Sequence, residues 1–220
     1  VDRCQTFSSD DDRLTYLRLL KVHLPQAEVR LLAWCLMTNH VHVIALPERA
    51  DSLPVLLRRV HGRYAQYYNT RTGRSGHLWQ NRFFACALGG GHLWKALAYV
   101  ERNPVRAHMA LWATDYPWSS AAAHVSGADP LGILDLDWWR REGSIADWRD
   151  ILHGAELEED IATLRGCTYA GRPFGDERFV KEMSERFGRQ WIRGRPKKQG
   201  RALSVKDVGR QRAFFSEMSE

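Results

Sequence analysis

Two histidines one residue apart, in Asn39-His40-Val41-His42-Val43-Ile44-Ala45, are the side chains in this sequence best spaced to hold a metal ion. Alternate residues of a β-strand project to the same side, so both imidazoles would address one point in space. The same spacing describes two half-buried strand histidines satisfied by backbone partners, and in a chain with nine histidines the pair alone does not decide. A second pair lies downstream, in Leu93-Trp94-Lys95-Ala96-Leu97-Ala98-Tyr99-Val100-Glu101-Arg102-Asn103-Pro104. Leu93, Ala96, Leu97 and Val100 recur at helical spacing, which sets Tyr99 and Asn103 on a common face. That face offers a phenol and an amide side by side. A buried tyrosine next to a helix-capping asparagine has the same spacing.

These side chains depend on the elements that carry them. Val41, Val43 and Ile44 are β-branched, Val29 to Leu36 is a second apolar run, and Met37-Thr38-Asn39 between them predicts a hairpin with the histidines at the start of the return strand. A helix from Leu53 to Tyr68 is expected to turn Leu56, Leu57, Val60 and Tyr64 inward. The Tyr99 helix should stop at Asn103, because Pro104 disfavours the α conformation in the residue before it. Ser126-Gly127-Ala128-Asp129-Pro130 reads as a break, beyond which Leu134 to Leu164 is acidic, rich in tryptophan and helical in pattern. Trp138, Trp139, Trp148, Ile151 and Leu152 are expected to pack that stretch onto the first domain, with its carboxylates facing solvent. The expected organisation is a catalytic domain over 1–125, a helical extension over 126–186 and a basic tail over 187–220. Hairpin, helix, further strand and the Tyr99 helix together give an α+β fold.

Four segments occur in order: Cys35-Leu36-Met37-Thr38-Asn39-His40-Val41-His42, Gly76-His77-Leu78-Trp79-Gln80-Asn81-Arg82-Phe83, Tyr99-Val100-Glu101-Arg102-Asn103-Pro104-Val105-Arg106-Ala107 and Tyr116-Pro117-Trp118-Ser119-Ser120. Together they resemble IS200-like single-tyrosine transposases, and most of all the REP-associated tyrosine transposase branch. The resemblance runs from Cys4 to Ser120 and extends more faintly through Thr168-Tyr169-Ala170-Gly171-Arg172-Pro173-Phe174-Gly175. It implies a ferredoxin-like antiparallel sheet backed by helices. It also implies the site of an HUH nuclease, named for histidine, hydrophobic residue, histidine: His40 and His42 as ligands of a divalent metal, Mg2+ or Mn2+, Asn103 as a third, polar ligand, and Tyr99 as the nucleophile. Thr38 departs from the proline common before Asn-His in the family. The family also usually carries a strand ahead of its first helix, central in the sheet; this sequence starts at Val1, so that first strand is expected to be missing, which would weaken independent folding and activity.

The implied chemistry suits the residue types. A phenol with a pKa of about 10 is a weak nucleophile at neutral pH and a phosphodiester is a hindered anion, so the reaction calls for a cation that neutralises charge and orients the scissile bond. The resemblance implies a 5′-phosphotyrosine and a free 3′ hydroxyl; no water is activated, in keeping with the lack of an acidic neighbour to the histidines. The reaction requires the imidazoles and the phenol to converge on one pocket open to solvent.

Charge distribution supplies an independent line. The formal net charge is +6 and the isoelectric point about 9.3, favouring an anionic partner. Between Ser52 and Gly91 there is no acidic residue, and Arg58, Arg59, Arg63 and Arg82 alternate there with Tyr64, Tyr67, Tyr68, Trp79 and Phe83, a composition suited to single-stranded or hairpin DNA. A second basic run includes Arg195, Lys197 and Lys198 in an AT-hook-like Gly194-Arg195-Pro196-Lys197-Lys198. Cys4, Cys35, Cys86 and Cys167 show neither zinc nor redox spacing and are expected as reduced thiols of a cytoplasmic, nucleoid-associated protein. No membrane partner is expected, and the pattern leaves monomer and homodimer open. The functional expectation is a DNA transposase that nicks and rejoins single strands at REP-type hairpins. Its rivals are a catalytically inactive module that binds structured DNA or RNA, and a phosphodiesterase using water in place of Tyr99.

Overall fold

The computed structural model describes residues 5–79, 83–143 and 145–191, together with a backbone strand at Phe214–Met218. Helix α1 (Asp10–Gln26) starts at Ser9, whose hydroxyl accepts the Asp12 N–H at 3.3 Å while the Asp12 carboxylate accepts the Ser9 N–H at 3.1 Å. This capping box satisfies donors that the first turn leaves orphaned, and the acidic run Asp10 to Asp12 favours the positive end of the helix dipole. Strands β1 (Val29–Leu36) and β2 (Val41–Pro47) form the expected hairpin, with Cys35 opposite His42 and a bulge between Leu31 and Ala33. Helix α2 (Ser52–Thr72) contains the predicted Leu53 to Tyr68 stripe and ends at Gly73, whose φ of 65° needs a residue without a Cβ.

Strand β3 (Phe84–Ala87) leads into α3 (Gly90–Glu101) and α4 (Asn103–Arg106). The chain continues through α5 (Ala121–Ser126), α6 (Leu136–Glu142), α7 (Ile145–His153), α8 (Glu158–Ala170) and α9 (Glu177–Phe187). Strand β4 (Phe214–Met218) pairs antiparallel with both β2 and β3, so the sheet order is β1-β2-β4-β3. The central place between β2 and β3, which the resemblance assigns to the missing first strand, is therefore held by β4, residues 214–218. It sets Glu217 opposite His42 in backbone register. The expected tail gave no sign of this element, because pairing on both sides, rather than a local pattern, defines it.

Each face of the sheet has its own core. Val41, Val43 and Ala45 of β2 join Tyr16, Leu20, Leu56, Val60 and Tyr64 of α1 and α2. The alternate residues Ile44 and Leu46 join Leu97, Tyr99 and Val100 of α3 with Leu152, Ile161 and Leu164 of α7 and α8. Period-two alternation along β2 thus sends the histidines to the α3 side. Trp139, Trp148 and Leu152 are buried in that second core as expected, whereas Ile151 is 46% exposed. Among the described residues no helix is long and apolar enough to cross a membrane.

Candidate functional site

His40 and His42 lie edge to face, with ring centroids 4.7 Å apart at 84°. The His40 Nδ1–H donates to the Asn39 side-chain oxygen at 2.7 Å, which fixes the tautomer and leaves Nε2 as the nitrogen with the lone pair. Burial, reinforced by the Arg165 charge, holds the His40 imidazolium down to about 4. Burial also pushes His42 well below its ordinary value, with help from the charges of His40, Arg106 and Arg165. Both rings are accordingly neutral at pH 7, the form that ligates metals.

Tyr99 reaches this pair from α3: its ring meets His42 at 5.9 Å between centroids and 88° between planes. The imidazoles and the phenol therefore converge, from one chain. His40 is half-buried, but His42 is 1% and Tyr99 2% exposed, so the inner part of the site is covered, against the expectation of a pocket open to solvent. Two guanidinium groups account for much of the cover. Arg165 of α8 donates its Nε–H to the Tyr99 hydroxyl at 3.0 Å. Arg106 lies over the Tyr99 ring with Cζ 4.1 Å from the centroid and donates to the Tyr99 carbonyl and to Glu156.

That carbonyl contact bears on Asn103. The helix was expected to run to Asn103, but α3 ends at Glu101 and Asn103 opens the next short helix. Asn103 is buried, its Nδ2–H donates to the Val100 carbonyl at 3.4 Å, and among the described residues no hydrogen bond joins it to either histidine. No group of three or more His, Cys, Asp or Glu side chains gathers anywhere among the described residues. The donor chemistry at the histidines nevertheless fits a divalent metal: two neutral imidazoles on alternate strand positions, one with its tautomer fixed by an amide oxygen. A dication entering there meets the Arg165 and Arg106 charges, so an accompanying anion favours its binding.

Behind the tyrosine helix lies a clamp that the sequence reading missed. Glu101, fully buried, accepts the His124 Nδ1–H at 2.6 Å, the Trp148 Nε1–H at 2.8 Å and the Ser120 hydroxyl. The Ser120 Oγ in turn accepts the Trp34 N–H of β1 at 3.1 Å, and Trp139 stacks on His124 with centroids 3.8 Å apart. The residue two positions after Tyr99 thus ties α3 to β1, α5 and α7. Its only sequence signal is an acidic residue inside an apolar stripe. A cavity of about 480 Å3 between α3, α7 and α8 touches Tyr99, Trp94, Trp148 and Leu164 but neither histidine.

Arg58, Arg59 and Arg63 are exposed on α2. Because α2 packs on the opposite face of the sheet from α3, these arginines are separated from His40 and His42 by the sheet itself. Arg82, Arg195, Lys197 and Lys198 lie outside the described residues. Of the other histidines, His61 is buried against the Tyr16 hydroxyl at 2.8 Å and His77 is exposed.

Residues 2–103, which carry the histidine hairpin and the tyrosine helix, match the family described as transposase IS200 like. The matched stretch ends at Asn103 and excludes Arg106, Ser120, His124 and Arg165. No curated protein and no solved structure matches the chain.

Proposed function

We propose that this protein is a metal-dependent transposase of the IS200-like kind, acting on single-stranded DNA at hairpins formed by repeated extragenic palindromes. The observation that carries the reading is the contact of the Tyr99 ring with His42, inside the stretch that matches the family. His40 and His42, joined by the Asn103 amide oxygen, would hold Mg2+ or Mn2+, which supplies charge neutralisation to the phosphate when bound. Tyr99 attacks phosphorus and retains the strand as a phosphotyrosine, leaving a 3′ hydroxyl able to reverse the step. The Glu101 clamp fixes the helix that presents Tyr99, and Asn39 fixes the His40 ring. In this reading the outer face of α2 holds DNA away from the reacting phosphate, and the protein works in the cytoplasm on the nucleoid.

Incubation of the protein with a labelled single-stranded hairpin and Mn2+ or Mg2+ tests the reading. An SDS-resistant complex that disappears in Tyr99→Phe is expected. Cleavage surviving that substitution would instead indicate attack by water. The burial of Tyr99 favours a second reading, a module that binds structured DNA or RNA without cutting it. Tight hairpin binding with neither cleavage nor adduct at any metal concentration would establish that one.

A further inference from the structure

We infer that Arg165 is a catalytic residue of the same site, delivered to Tyr99 by a helix beyond the family-matched stretch. The inference rests on the strand-transfer reading above and adds a group to it. Helix α8 buries Ile161, Leu164 and Thr168 against the α3 side of the sheet, and Thr168 also contacts the Cys86 thiol of β3 at 3.4 Å. This anchoring leaves Arg165, next to Leu164, at the edge of the buried stripe. From there its Nε–H meets the Tyr99 oxygen at 3.0 Å, with Cζ 5.7 Å from the ring centroid.

A guanidinium keeps its proton at any ordinary pH, so Arg165 cannot serve as the base. What it can do is hold the attacking oxygen as an acceptor and neutralise charge that builds on it and on the phosphate. In the step itself the Tyr99 oxygen bonds to phosphorus and the bond from phosphorus to the departing 3′ oxygen breaks. The phenolic proton passes to solvent, the departing oxygen takes one up, and Arg165 remains protonated throughout. A simple latch that keeps Tyr99 shut would show the same hydrogen bond, but its removal would have the opposite kinetic effect.

The experiment compares wild type, Arg165→Met and Arg165→Lys for the rate of the SDS-resistant adduct at saturating hairpin and Mn2+. Loss of a charge-stabilising donor predicts a rate about 10²- to 10³-fold lower in Arg165→Met, partial recovery in Arg165→Lys, and little change in KM for the hairpin. Metal affinity, measured by calorimetry on the DNA-free protein, should rise in Arg165→Met because a repelling charge has gone. A slower reaction with tighter metal is a combination that a merely structural role does not produce. Circular dichroism and the thermal midpoint check the fold of each variant; should Arg165→Met be unstable, Arg165→Lys against wild type carries the comparison, a rate equal to wild type overturning the inference. An Arg165→Met rate equal to or above wild type would also overturn it and favour the latch. If wild type itself forms no adduct, the strand-transfer reading fails first and Arg165 loses its role with it.

Discussion

The Tyr99 hydroxyl and the hydroxyls of the α1 and α2 tyrosines meet different partners. On the α1 and α2 side, the Tyr64 hydroxyl donates to the Thr6 carbonyl at 2.6 Å and the Tyr68 hydroxyl to the Gln5 carbonyl at 2.7 Å. Tyr116 likewise donates to the Leu36 carbonyl at 2.7 Å, and burial pushes its phenol up to about 12. Burial pushes Tyr16 and Tyr64 further up still. Tyr64, Tyr68 and Tyr116 each supply a proton to a fixed backbone carbonyl and are poor nucleophiles for that reason. Tyr99, as buried as they are, accepts a hydrogen bond from a cation and has a second cation over its ring. Equal burial therefore hides different surroundings: a hydroxyl that meets a backbone carbonyl ties the fold together, whereas one that meets a guanidinium beside the histidine pair is placed for attack.

The largest test of this contrast is a pair of substitutions. Tyr99→Phe should eliminate the covalent adduct with little loss of stability, whereas Tyr116→Phe should leave adduct formation intact and cost about 1–3 kcal/mol in urea unfolding, the penalty for an orphaned buried carbonyl. An adduct retained in the first or lost in a stably folded second would erase the distinction. Next in size, His42→Ala should abolish metal-dependent cleavage while hairpin binding persists, and full cleavage in that variant would remove the metal from the α3 side. In wild type, Mn2+ should also bind more tightly when the hairpin is present, since the phosphate offsets the arginines; equal calorimetric affinities would contradict this.

Glu101→Ala strips three donors of their acceptor and should lower stability by about 3–5 kcal/mol, measured by denaturant midpoint. A smaller effect is expected with pH. His61 on the α2 side is held down to about 3 by burial, against 6.5 in the unfolded chain, so only the unfolded state takes up the proton between those values. Its contribution is fully present above 6.5 and declines as pH falls towards 3; His61→Gln should flatten part of that slope in pH-dependent unfolding. Smallest of all, Arg58→Ala and Arg63→Ala should each reduce the salt dependence of single-strand binding by about 0.7 in log–log slope, without altering the cleavage rate at saturating DNA.

What could be read from the sequence follows from how local each signal is. The hairpin of β1 and β2 is written in adjacent β-branched residues, and the inward stripe of α2 in a repeat of three and four, so both were legible. The meeting of His42 and Tyr99 could be anticipated only through resemblance, since nothing near either residue encodes it. Helix α3 ends two residues before the expected stop, and the Tyr99 carbonyl near that end accepts from Arg106, a partner invisible in the local sequence. Arg165 looks like one more charge on a polar helix face, and Glu101 shows only as an acidic residue within an apolar stripe; their roles depend on partners 66 and 23 residues away. The arginines of α2 are exposed, as their place outside the inward stripe of that helix implies, but sequence proximity gave no hint that the sheet stands between them and the histidines.

The position of β4 also has a consequence for biosynthesis. The strand bearing His42 remains an unpaired sheet edge until residues 214–218 have left the ribosome, because only they complete its hydrogen bonding on that side. A partly translated chain exposes an adhesive ribbon where the finished one has an interior strand. The polypeptide thus completes its most sensitive strand long after that strand is made, which delays assembly of the histidine pair's surroundings until residues 214–218 have emerged.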